Sequence, residues 1–480
     1  MSLVKSIKEI TKDMSIYGLS TLIGQVVSFF LLPLYTSYLT PGDYGILSII
    51  GMLTGGYGIL SNFGINSAIF RFTGLAKSEE QKLEYLDTAQ FLNVFLNVLF
   101  CSMALVFSGR LSLWLFNADT YELFFKFGIL MGFISSLASI PLSYLRVRRK
   151  TVKIAYSSLL NLGVSITCTI IGLVALKWGV WGALVGNTAG NVISMVFLFW
   201  NVNIPKWNNF SIVRSKALLN YALPMFPHKA LMFLLPMFSQ VLLIRFLSLE
   251  TLGIYNIAYK FCLPLNLFIN LFQKSYSPYR FEILQQEKKS KELFNKINLT
   301  FFLIVFMGYT LTILFGDDII KVLTSPDFYS AGRYLIFIAL IPIGRGLFFI
   351  FGTGIEFSKS PRFMPVISGT GFVITLVLSY VLIPNMGIAG SAIAPTIGYL
   401  SMAAIVYFYA QRIYDIPYSW SKYILIITVT VSLHLCNHML NHDSIVIDIM
   451  GLFVYISILG FIFRRHVTDI FKNRIKREGL

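Results

Sequence analysis

Charge is what this chain lacks most. Only 13% of its 480 residues are Asp, Glu, Lys or Arg, whereas a soluble domain carries about a quarter. Acids are the scarcer sign, 22 against 39 basic residues, for a formal charge of +17. In a soluble chain that excess would suggest a nucleic-acid partner. Here 56% of residues are hydrophobic, 43 of them Phe and 25 Tyr, so the bases are expected to orient membrane spans, with no nucleic-acid partner. Cysteine is rare too. Cys101, Cys168, Cys262 and Cys436 lie within or at the ends of apolar segments, without a CxxC, so neither a disulfide framework nor a metal site is implied. No GxxxxGK[ST] stretch occurs, which argues against direct ATP hydrolysis. No cofactor is expected, and the energy source is left open among the membrane potential, an H+ or Na+ gradient and removal of the product.

What is present is a succession of long apolar runs. A helix needs about 20 mostly apolar residues to cross the hydrocarbon core. Fourteen such segments follow one another: 14–36, 43–69, 88–108, 122–145, 154–176, 179–201, 217–245, 251–272, 297–316, 333–355, 363–384, 388–410, 422–440 and 445–463. The first is too long for a signal peptide and lacks a small-residue cleavage site, so it reads as a retained span. Continuous runs rather than ten-residue alternation exclude a β-barrel. The expected fold is an all-α integral membrane protein of about 14 transmembrane helices. An even count puts both termini on one side, which then receives 30 Lys and Arg against four (Arg110, Lys177, Lys321 and Arg333) on the other. The positive-inside rule makes that side the cytoplasm.

The chain also resembles itself at an offset of 208 residues. "YLTPGDYGILSI" at 38–49 meets "FLSLETLGIYNI" at 246–257, and "GVWGALVGNTAG" at 179–190 meets "GIAGSAIAPTIG" at 387–398. Gly45/Gly253, Gly179/Gly387, Gly182/Gly390 and Gly190/Gly398 recur in register. Each unit would hold six spans, so the two share an orientation. That implies two six-helix lobes related by a pseudo-two-fold along the membrane normal, with alternating access by rocking. The expected domains are 1–208, 209–415 and a C-terminal helix pair with a basic tail at 416–480. Thr40-Pro41-Gly42-Asp43 reads as an N-cap, a proline at N1 and an acid at N3 opening the second span, and Ser248 and Glu250 repeat that chemistry.

The block "YLTPGDYGILSIIGMLTGGYGILSNFGINSAIFRF" (38–72) resembles the signature of the bacterial polysaccharide-transport family, the Wzx-type O-antigen and oligosaccharide flippases. The resemblance rests on Asp43-Tyr44-Gly45, Gly64 and Arg71, and "GIYNIAYKF" (253–261) is similar to the matching block of the second lobe. An exact shift from Arg71 lands on Tyr279, with Arg280 adjacent. The resemblance implies a V-shaped transporter in the bacterial inner membrane. It would move an undecaprenyl-diphosphate-linked oligosaccharide, such as an O-antigen unit of lipopolysaccharide, from the cytoplasmic to the outer leaflet. Multidrug exporters and the peptidoglycan-precursor flippase belong to the same superfamily and remain alternatives, so the glycan is not named by membership. The implied partners are that lipid-linked glycan, membrane lipids, and the polymerase and glycosyltransferases of polysaccharide synthesis.

A charge inside a span is a functional candidate. Five bases stand there: Lys126, Lys229, Arg245, Lys260 and Arg345. Lys126 and Arg245 lie near span ends, within snorkelling reach of the interface. Lys229, Lys260 and Arg345, with Arg71 at the inner end of span two and Arg245, are the candidate binding set for a lipid diphosphate, which arginine forks suit. Gln25, Asn62, Asn66 and Asn270 are candidate sugar contacts. Asp448 and His228 are candidate protonation sites. Pro224, Pro227 and Pro236 interrupt span seven and are candidate gating positions. His434, His438 and His442 are spaced by four, but no second ligand cluster accompanies them, so a polar helix end is the simpler reading. A cation-coupled drug exporter would carry acids in its spans, and an embedded glycosyltransferase would need a catalytic loop; a scaffold for glycosyltransferases is the third class.

Overall fold

The structure, a computed structural model, describes residues 22–116, 119–202, 205–284, 290–356, 363–439, 447–461 and 463. Among them no strand occurs. The helices are α1 (Leu22–Tyr38), α2 (Pro41–Asn62), α3 (Ile65–Leu75), α4 (Glu79–Phe116), α5 (Glu122–Leu137), α6 (Ser139–Val147), α7 (Thr151–Ile170) and α8 (Val180–Trp200). They continue as α9 (Ile212–Ala222), α10 (Phe226–Phe246), α11 (Leu249–Phe261), α12 (Leu263–Leu284), α13 (Ser290–Leu323), α14 (Leu340–Phe351), α15 (Met364–Met386), α16 (Ile388–Ile413), α17 (Trp420–Met439) and α18 (Ile447–Phe461).

Within the described residues each of the fourteen apolar segments falls on helix, but fourteen spans are not established. Among the described residues ten helices are long and apolar enough to cross a membrane, or eleven when the bent pair α11–α12 counts as one. Segments one and fourteen appear as the shorter helices α1 and α18, the first beginning outside the described residues, and α17 is not among the ten. The basic tail after Arg464 and the N-terminal arm also lie outside them.

Three segments read as single spans are broken. Segment two splits into α2 and α3 because Phe63 and Gly64 both have positive φ, 45° and 78°, a conformation helices cannot continue through. Segment seven splits at the 3-10 turn Leu223–Met225; Pro224 lies in that turn, Pro227 in the first turn of α10, and Pro236 inside α10. Segment eight bends by 55° between α11 and α12.

In lipid, helices associate through small residues and hydrogen bonds rather than apolar burial, and the repeated glycines do this work. Gly179 and Gly387 share one conformation, φ 54° with ψ −130° and φ 58° with ψ −127°, each turning the chain back into an antiparallel hairpin. Three residues on, a Cβ at Gly182 would lie 2.6 Å from the Gly172 carbonyl carbon, and one at Gly390 2.5 Å from the Leu382 oxygen. The other repeated block packs against its own copy: a Cβ on Gly45 would lie 2.2 Å from the Leu249 oxygen, and one on Gly253 1.9 Å from the Pro41 oxygen.

Several segment ends touch one another. Arg148 pairs with Glu79 at 2.6 Å, Arg214 with Glu84, and Arg71 lies over Tyr221; all are ends assigned to one side. Thr36 Oγ1 accepts from Ser325 N at 3.3 Å, Tyr44 meets Phe328 edge-on, and Arg245 donates to Trp114 O; these are ends assigned to the other.

By contacts the chain forms two compact units. One is Met1–Ile257, Leu323–Phe328 and Arg362–Pro395; the other is Ala258–Val322, Tyr329–Pro361 and Thr396–Leu480.

The start of α2 is a capping box: Asp43 N donates to Thr40 Oγ1 at 3.2 Å and Thr40 N to Asp43 Oδ2 at 3.0 Å. At the equivalent start of α11, Thr251 N donates to Ser248 Oγ at 3.2 Å. Thr40→Ala should therefore lower stability by about 1 kcal/mol, read as a lower melting temperature in detergent.

Candidate functional site

In the first unit one candidate cation lies beside the breaks in segments two and seven. Lys229 stands in the first turn of α10, and its Nζ donates to Ser67 Oγ of α3 at 2.5 Å. Its neighbour His228 turns to α15, where it hydrogen-bonds the backbone of Met364. The Phe63 and Phe226 rings meet at a tilt across the two breaks with centroids 4.9 Å apart. Arg71 is exposed and lies 4.6 Å from the Tyr221 ring centroid. Arg245 is exposed at the far end of α10 and donates to Trp114 O at 3.1 Å, as a snorkelling residue would.

The candidate polar residues of this unit are held by helices. Asn62 is buried, donates to Ser139 Oγ at 3.0 Å and accepts from Asn66 N at 3.2 Å. Asn66 Oδ1 accepts from Ser143 Oγ at 3.2 Å. Asn62 Oδ1 thereby takes up one backbone N–H freed by the break between α2 and α3, and the Ser61 and Ser136 hydroxyls lie 2.8 Å apart. Gln25 lies half-buried on α1.

In the second unit two of the candidates meet. Arg345 Nη2 donates to the amide oxygens of Asn266 at 2.9 Å and of Asn270 at 3.2 Å. Asn266 and Asn270 are one turn apart on α12, so both oxygens face the same guanidinium. Tyr259, next to Lys260 on α11, shares a hydrogen bond with Asn266. Lys260 itself is half-buried. Glycine flanks Arg345 on both sides: a Cβ at Gly344 would lie 3.0 Å from Tyr399 Cβ, and one at Gly346 3.0 Å from the Phe301 ring. The helix therefore packs closely around the arginine. Neither Lys229 nor Arg345 makes an ion pair among the described residues; serine and asparagine hold them instead, and no carboxylate stands against them.

Asp448 is buried, and its Oδ1 accepts from Asn437 Nδ2 at 2.7 Å, joining α18 to α17 with the Thr430–Tyr455 hydroxyl pair at 2.9 Å. Of the histidine series, the His434 ring meets Tyr309 edge-on, and His442 lies outside the described residues. Among those residues no group of three His, Cys, Asp or Glu is placed to hold a metal ion. Lys126 is exposed and pairs with Glu122 at 2.8 Å, one turn away.

Three participants escape sequence reasoning. Ser67 and Asn266 are neutral and come from other segments, so nothing marks them. Arg280 is fully buried, 4.5 Å from the Phe349 centroid and 5.2 Å from that of Tyr276. Its one signal was its place beside the repeat position of Arg71, yet Arg71 is exposed and Arg280 is core.

Residues 37–331 match the family of polysaccharide biosynthesis proteins. The chain belongs to that family. No curated protein matches it. The fold of this family member is similar to that of "Lipid II flippase MurJ, inward closed conformation", with a TM-score of 0.73 and 16% identity over 94% of this chain and 99% of that one. It is similar also to an inward-facing MATE multidrug-resistance transporter of the MOP superfamily, with a TM-score of 0.62 and 14% identity over 83% and 94% of the two chains. A MOP-superfamily transporter from Pyrococcus furiosus follows at 0.57 and 15%, covering 83% and 94%. The polysaccharide biosynthesis protein is thus a multi-pass membrane protein with a MurJ- and MATE-like fold.

Proposed function

We propose that this protein is a flippase that moves an undecaprenyl-diphosphate-linked oligosaccharide, an O-antigen or other surface-polysaccharide unit, from the cytoplasmic to the outer leaflet by alternating access. It would work in the bacterial inner membrane with both termini in the cytoplasm. Glycosyltransferases would supply the substrate on one side and a polymerase would consume it on the other; the protein itself carries out no catalysis. The observation that carries this reading is the neutral mounting of Lys229 and Arg345 within apolar helices. A cation kept in a span without a carboxylate is costly, and an anionic substrate is the group that would offset the cost. A diphosphate fits, because guanidinium and ammonium donors bind phosphate oxygens through charge-assisted hydrogen bonds. An exporter of cationic drugs would be repelled by the same charges.

The test is reconstitution into vesicles with a labelled undecaprenyl-diphosphate oligosaccharide, followed by measurement of its exposure on each leaflet. Exchange between leaflets that depends on the protein is the expected result. No exchange with any such lipid, together with uptake of organic cations, would replace the flippase by an exporter. Lys229→Met should slow exchange about tenfold to a hundredfold, since a hydrogen bond to a charged group is worth about 1.5–3 kcal/mol. The melting temperature should change little, because Ser67 faces the loss of only one partner.

A further inference from the structure

The connection between α8 and α9 is fastened on one face and bare on the other. On the fastened face, Asp87 Oδ2 of α4 accepts from Asn209 Nδ2 at 2.6 Å and from Lys206 N at 3.3 Å. Thr88 Oγ1 donates to Asn209 O at 3.1 Å and accepts from Ser211 N at 3.3 Å. Arg214 pairs with Glu84, and Phe91 meets the Trp207 ring edge-on at 4.8 Å. Helix α9 buries Leu218 and Ala222 among Ile65, Ile69 and Leu86. Five polar contacts and one ring contact to one helix mean that this connection is held in place rather than draped.

The bare face carries what a headgroup region accepts. Trp207 is 69% exposed, Ile212 76% and Val213 79%. Lys206 and Lys216 are exposed beside them, and no acid occurs anywhere in 201–216. Trp200, at the end of α8, is 87% exposed, so exposed apolar side chains occur both at the end of a membrane span and on the connection that follows it. An indole, two aliphatic side chains and flanking bases are the composition of an interfacial anchor. A soluble protein partner would require this surface to leave the lipid-facing side of α8.

We propose that Trp207, Ile212 and Val213 sit at the boundary of acyl chains and headgroups, and that Lys206 and Lys216 bind anionic headgroups. The connection then anchors the starts of α4 and α9 to one leaflet and makes their position sensitive to lipid charge. That this leaflet is the inner one rests on the topology proposed above; the anchoring itself does not.

The test uses the full chain with its four cysteines replaced by alanine, a nitroxide attached at Val213→Cys, and vesicles containing phosphatidylglycerol. The label is expected to collide often with oxygen and rarely with a water-soluble nickel chelate. Exchanging the anionic lipid for phosphatidylcholine, or introducing Lys206→Gln with Lys216→Gln, should raise the nickel collision rate several-fold. Frequent nickel collisions in anionic vesicles would overturn the proposal, and so would shielding from both reagents, which signals a protein contact. Indifference to lipid charge would overturn the role of the lysines. Modification of Lys216→Cys by an impermeant thiol reagent reports the side separately: reaction from the outer side alone would refute the topology and leave the anchor standing.

Discussion

Replacing Arg345 by methionine should stop translocation, with a loss of at least about a hundredfold in the rate of leaflet exchange. Two effects add. The variant removes a cation that can contribute about 1.5–3 kcal/mol through each charged hydrogen bond to a phosphate oxygen. It also leaves the oxygens of Asn266 and Asn270, now 2.9 and 3.2 Å from Nη2, without their donor, at a cost of about 1–3 kcal/mol for a buried acceptor. The effects can be separated. Arg345→Gln keeps an amide donor for the asparagines but no charge, so it should be nearly as stable as the native protein yet inactive. Arg345→Lys keeps the charge as a point donor without the fork, so partial activity is expected. The order of rates should be Arg, Lys, then Gln and Met together, whereas the order of melting temperatures should place Gln above Met. Equal rates for Arg345→Gln and the native protein would remove Arg345 from the binding set.

Why Arg345 stands out in the sequence and Asn266 does not is a matter of contrast. A base within "LIPIGRGLFFI" stands out against every neighbour. Asn266 does not, because amides are tolerated in spans, and it reaches Arg345 across 79 positions of sequence. Lys229 and Ser67 are separated by 162. Helix existence was legible for the opposite reason: hydropathy sums over about twenty residues, so one polar residue rarely erases a span. The same summing hides a break. Phe63 and Gly64 change the path of segment two through two φ angles, and a twenty-residue average is blind to both. Asn62 Oδ1 accepts from Asn66 N across that break, because a kinked membrane helix needs local polar groups to satisfy its ends. Glycine recurrence carried more than hydropathy did. Gly179 and Gly387 repeat at one offset and have nearly the same φ and ψ, since a positive φ followed by a tight hairpin leaves little choice of residue.

Adding a single methyl group at Gly253 should destabilise the protein more than removing most hydrogen bonds. The Cβ would lie 1.9 Å from the Pro41 oxygen, 2.8 Å from its carbonyl carbon and 3.2 Å from Gly45 N. All three are backbone atoms, so no rotamer change relieves the clash; α2 and α11 must separate by more than an ångström. Overpacking of this kind costs about 1–3 kcal/mol, and a backbone clash belongs at the upper end. Gly45→Ala meets the Leu249 oxygen at 2.2 Å and should cost a similar amount. Once one alanine has parted the helices, the second has less to displace, so the double variant should cost less than the two single losses together. Gly51, also in α2, has nothing within 4 Å of its Cβ position. There alanine should stabilise by up to about 1 kcal/mol, the difference in helix propensity. Melting temperatures of the four variants in one detergent decide the matter: opposite signs for Gly51→Ala and Gly253→Ala are expected, and equal signs would mean that the crossing of α2 and α11 is looser than the close approach of its two glycines requires.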